Sequence, residues 1–190
     1  MTRILVNLTA FNLVALFAAF GVGWMSFLTG SRANPDDSKF LLHIYLGLMA
    51  VTTTLGLHCL VFIYFLGTGR WVKEVSIAYG LTDYHRLPTL TRELKRRAFP
   101  VALLSMVVTI VAAASGGGVA TMQWPWMIHG GLTVVALGVN IWAVFPEYRC
   151  VKENGEVIAE VMREVERIRA ARGLNTNEEA LREQQGQVSG

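Results

Sequence analysis

In 190 residues, 53% hydrophobic and only 16% charged, the charges are gathered into blocks instead of being scattered along the chain, which excludes an ordinary soluble helical domain. The net charge of +3 is not concentrated into one basic face, and the C-terminal segment holds more Glu than Lys plus Arg, which excludes a nucleic-acid surface.

The first element follows from the stretch Ile4 to Ser31, which has no Asp, Glu, Lys or Arg. A helix needs ~20 apolar residues to cross the hydrocarbon core of a bilayer, and the sequence predicts one near residues 6–28. A secretory signal would have an apolar core of ~7–15 residues followed by small residues. Leu5 to Leu28 is longer, and Trp24, Met25 and Phe27 stand where the small residues belong, so this is expected to be a true first helix.

Residues 29–39 carry Arg32 and Lys39, balanced by Asp36 and Asp37. Phe40 to Gly69 is again free of Asp, Glu, Lys and Arg and gives a second helix near 40–67. Its helical spacing continues through Trp71, Val75 and Ala78, and Leu87-Pro88-Thr89 is expected to break it. The segment 68–98 holds Arg70, Lys73, Arg86, Arg92, Lys95, Arg96 and Arg97. An excess of Lys and Arg marks the cytoplasmic side, so this central loop and both termini are expected there, with 30–38 and 117–125 opposite. The expected location is a bacterial inner membrane.

Ala98 to Pro146 is long enough for two crossings, near 99–120 and 126–146. Gly116-Gly117-Gly118 and Gln123-Trp124-Pro125-Trp126 mark the turn between them. Residues 1–148 thus read as an all-α transmembrane four-helix bundle of two tandem hairpins, and 149–190 as a cytoplasmic helical tail. In the tail, Val157, Val161, Val165 and Ile168 form an apolar stripe. It is expected to dock on the central loop or on another subunit, through residues 153–172 and 68–98, and the polar end after Gly173 is expected to be mobile.

The chemistry centres on three histidines, because ionisable groups inside a membrane span are costly and usually functional. His43 lies four residues after Lys39, and His129 four after Pro125, so the two are expected at similar depth near the outer face. Setting His43 against His129 aligns Leu46 with Leu132, Ala50 with Ala136 and Thr54 with Asn140. Beside His43 run Gly47, Ala50 and Thr54; beside His129 run Thr133, Ala136 and Asn140. Such small or weakly polar stripes leave room for something flat, and equally mark plain helix–helix packing. His58 is the third histidine, and His85 is an exposed loop residue by this reading.

Histidines on the second and fourth helices resemble the arrangement of the membrane b-type cytochromes, four-helix bundles in which facing imidazoles ligate haem. The likeness covers residues 6–146 and is architectural. It implies one haem b near the outer face with His43 and His129 as its axial iron ligands. It further implies Gly47, Ala50, Thr133 and Ala136 against the macrocycle, and Arg32, Lys39 or Trp124 toward its propionates. His58, fifteen residues after His43, marks a second haem position. Its counterpart on helix 4 is Val144, leaving only Met106 as a second ligand there.

The function expected is an electron-transfer subunit, with a quinone or another redox protein as partner. The competing reading is a non-catalytic membrane scaffold in a larger complex. The sequence shows no phosphate-binding glycine loop and no CxxCH. No carboxylate falls within the four expected spans, which argues against a proton pump.

Overall fold

The computed structural model describes residues 1–30, 37–81 and 85–175. All regular structure among them is helical: α1 (Thr2–Leu28), α2 (Ser38–Tyr79), α3 (Arg86–Thr121) and α4 (Trp126–Ala171). Each is long and apolar enough to cross a membrane. Arg32 and residues 176–190, expected above to touch a propionate and to be mobile, lie outside the described residues.

The helices pack in order, α1 on α2, α2 on α3 and α3 on α4, and α4 closes less extensively on α1. The two hairpins are therefore adjacent, and α2 faces α4 across the bundle. The seam of α1 is Leu5, Asn12, Ala15, Ala19 and Ser26, a spacing near 3.5 residues. The equivalent seam of α4 runs Ala136, Asn140, Ala143, Glu147 and Cys150. This period keeps one face toward neighbouring helices. Toward the histidine end the interior is small or polar, with Asn12, Ala15, Ala19, Ala50, Thr54, Thr109 and Asn140, and toward the tail it holds Leu57, Val61 and Phe65, while Val14, Ile63, Val134 and Phe145 point outward and are more than half exposed. That distribution suits an apolar solvent, in which close backbone approach and interhelical hydrogen bonds hold helices together.

Three boundaries differ from the sequence expectation, for one reason. The expected spans 40–67, 99–120 and 126–146 end where charge begins, whereas the helices continue past the charges to Tyr79, back to Arg86 and on to Ala171. Segment 68–98 is accordingly mostly helix. The break after α2 falls at Gly80, not at Leu87-Pro88-Thr89. Gly80 takes φ 62°, and Leu81 N–H returns to the Ser76 carbonyl at 3.1 Å, a left-handed C-terminal cap. Pro88 lies in the first turn of α3, where its missing N–H has no helical partner to lose. Pro146 lies inside α4, which runs through it into the tail.

The tail stripe is covered by the chain itself. Val157, Val161 and Val165 form one buried cluster with Val72, Leu81 and Leu87, and Trp71, Val75, Ile158 and Ile168 pack around it. Of the two expected docking partners, the central segment occupies the stripe. Arg86 and Glu160 add an ion pair at 2.6 Å. Further in, Asn154 donates to Thr68 Oγ1 at 3.0 Å.

Candidate functional site

His43 on α2 and His129 on α4 face one another, with ring centres 6.0 Å apart and ring planes at 68°. They therefore share one depth. Each is positioned by the other helix of its own hairpin. His43 Nδ1 lies 3.0 Å from the Ala19 carbonyl on α1, and His129 Nδ1 lies 3.0 Å from the Ala112 carbonyl on α3. A carbonyl accepts, so each Nδ1 carries the proton and each Nε2 is left with its lone pair. Ser115 Oγ also approaches His129 Nδ1 at 3.2 Å and itself donates to Ala112 O.

One turn beyond each acceptor stands a glycine. A Cβ on Gly23 would come 2.6 Å from His43 Cε1, and one on Gly116 would come 3.0 Å from His129 Cε1. The rings approach the backbone of α1 and α3 closely because these positions carry no side chain. The same Ala-x-x-x-Gly spacing (Ala19 and Gly23, Ala112 and Gly116) thus cradles both histidines. This pair of motifs was open to sequence reading but is separated from the histidines it serves by a hairpin turn.

The donor set fits a group ligated from both sides. Two imidazoles about a metal at ~2.0–2.1 Å from each nitrogen have ring centres roughly 6 Å apart, allowing about 1 Å from nitrogen to ring centre. Metal-bound histidines generally donate their other N–H to a carbonyl or carboxylate, as both do here. Ala50 and Ala136, each seven residues along its helix from the histidine, are buried, and the Cβ position of Gly47 has open space around it. Thr133 turns its hydroxyl to the His129 carbonyl. Lys39 is exposed one turn before His43, and Trp124 packs over Gly118.

His58 lies elsewhere and is buried. Its Nδ1 is 2.8 Å from Glu147 Oε1, with both side chains under 5% exposed, and its Nε2 is 3.5 Å from Asn140 Oδ1. The second haem position expected at His58 is thus occupied in this structure by contacts to Glu147 and Asn140. Glu147 also corrects the expectation that no carboxylate enters the bundle. It follows Pro146, the last residue of the expected span, and it sits seven residues from Asn140 on the same face, the signal that would have shown it pointing inward. Among the described residues there is no cluster of three or more His, Cys, Asp or Glu able to hold a metal.

Comparison with protein-family models, curated proteins and solved structures finds no match for this chain.

Proposed function

We propose that this chain is an integral membrane electron-transfer subunit that holds one b-type haem between His43 and His129, toward the end of the bundle away from the tail. The observation that carries the reading is the doubled motif: two inward imidazoles, each with Nδ1 on a carbonyl and each lying on a glycine. A hydrogen bond from Nδ1 fixes the ring and makes Nε2 a better donor to iron. Structural histidines need no such matched pair.

Bound haem supplies reversible one-electron chemistry. The chain's own contribution is to hold two neutral imidazoles and to surround them with apolar walls. His43 and His129 would both hold the iron, and a haem held from two sides by protein would serve to pass electrons. Lys39, exposed one turn from His43, is suited to a propionate. The Lys and Arg asymmetry supports placing the tail and residues 68–98 in the cytoplasm.

The test is the reduced-minus-oxidised spectrum of protein purified from haem-replete cells. A low-spin b-type spectrum is expected, lost in His43→Ala and in His129→Ala and kept in His58→Gln. Colourless, folded wild-type protein would leave the scaffold reading instead.

A further inference from the structure

The His58 contacts form a directed hydrogen-bond chain. Thr109 Oγ1 donates to the Ser105 carbonyl at 2.7 Å. Its hydroxyl proton is thereby used, and it accepts from Asn140 Nδ2 at 2.9 Å. Asn140 Nδ2 also donates to the Ala136 carbonyl at 2.8 Å, which fixes the amide so that Oδ1 faces His58. An amide oxygen only accepts, so His58 Nε2 carries a proton. That leaves Nδ1 against Glu147 Oε1 at 2.8 Å, two atoms that bring lone pairs together unless a proton lies between them. The two atoms are in contact, and among the described residues neither has a hydrogen-bond partner elsewhere.

We propose that His58 and Glu147 form a proton-binding site inside the bundle, separate from the His43–His129 pair and independent of haem. Its ligand is a single exchangeable proton shared between Nδ1 and Oε1. Losing that proton would leave a buried carboxylate facing a bare ring nitrogen. A net-neutral pair is the form such surroundings favour, since an unpaired buried charge costs several times what a paired one does. Among the described residues no other charged side chain is paired with either group. The apolar cluster flanking the pair in sequence, with Leu57 and Val61 on α2 and Cys150 and Val151 on α4, also takes in Leu5 and Leu8 of α1 and Tyr64 and Phe65 of α2. α3 presents Leu94 and Ala98, with Arg97 acting on Cys150. α4 presents Cys150, which feels Glu147, Arg149 and Glu153.

The experiment is 15N-histidine NMR of the full chain in micelles, with isotope-edited infrared of its glutamates, across the range in which imidazoles and carboxylates titrate. A strongly hydrogen-bonded proton resonance on His58, or a protonated carboxyl band from Glu147, is expected near neutrality. Either signal is lost in Glu147→Gln, whose His58 keeps one N–H fewer than the pair provides. Asn140→Leu, which leaves Glu147 in place, should keep the shared-proton signal while releasing Nε2. Wild-type and Glu147→Gln spectra that coincide at every pH, or a wild-type His58 with one N–H and an ionised Glu147, overturn the proposal. These signals appear whether or not the protein is coloured, so a failed haem assignment and a failed proton site are told apart.

Discussion

His43 Nδ1 donates to the Ala19 carbonyl at 3.0 Å, and that bond holds the ring where it lies. The ring cannot slide aside to admit a methyl group at Gly23 without giving the bond up. Gly23→Ala places a Cβ at 2.6 Å from Cε1 and Gly116→Ala places one at 3.0 Å from the His129 ring. Overpacking of this kind costs about 1–3 kcal/mol. Gly23→Ala is expected to weaken haem retention more than Gly116→Ala. Gly21→Ala, with open space at its Cβ, is the neutral control. Equal haem content in all three variants, read from the Soret band, would contradict the cradle.

The second prediction concerns the extension of the bundle. Val161 is fully buried between α2 and α3, and Val165 nearly so. Val161→Asp with Val165→Asp places two carboxylates in an apolar cluster, at a cost of several kcal/mol. Protease cleavage between residues 150 and 171 should become rapid while the four apolar segments stay intact. Unchanged cleavage would mean that the cluster does not hold the tail.

Arg86 and Glu160 make the weaker contribution. Both side chains are about half exposed, so their 2.6 Å contact is screened by solvent. A double-mutant cycle is expected to give less than about 1 kcal/mol, diminishing with salt. A salt-independent coupling well above that value would show a drier contact.

Burial pushes the Cys150 thiol above its ordinary range, and the nearby Glu153 adds to the rise. The folded chain then holds this proton more tightly than the unfolded chain. Its contribution to stability is full below the unfolded value and is lost as pH rises through the folded one. Wild type should therefore lose stability more steeply than Cys150→Ala above the ordinary thiol pKa of ~8.5. Thermal unfolding at a series of alkaline pH values measures it, and parallel slopes would contradict it.

Sidedness is tested by single cysteines in a chain whose Cys59 and Cys150 have been replaced. Met122→Cys, in the short turn between α3 and α4, is expected to react with an impermeant maleimide added outside intact cells, and His85→Cys to be spared. The reverse pattern would invert the orientation inferred from Lys and Arg.

How far these features could be read in advance depended on whether each signal was local. Four apolar stretches and the pairing of His43 with His129 were legible, because both rest on charge gaps and helical spacing within single segments. The helix ends were not. Arg70, Arg92 and Arg149 look like boundaries, yet the helices continue beneath them to bury Val72, Leu94 and Val151. Glu147 was missed because a carboxylate after Pro146 resembles the first residue outside a span. Its partner, His58, lies 89 positions away in sequence, on a different helix.

The uninterrupted course of α4 through Pro146 also has a mechanical meaning. Helix α4 has 46 residues and so extends ~69 Å, against a bilayer core of ~30 Å. The part from Glu147 to Ala171 is then a post of roughly 37 Å, braced by the end of α2 and the start of α3. A tilt of about 10° in the apolar part would swing the far end of that post sideways by roughly 6 Å. That displacement at the tip is larger than the ~5.4 Å rise of one helical turn.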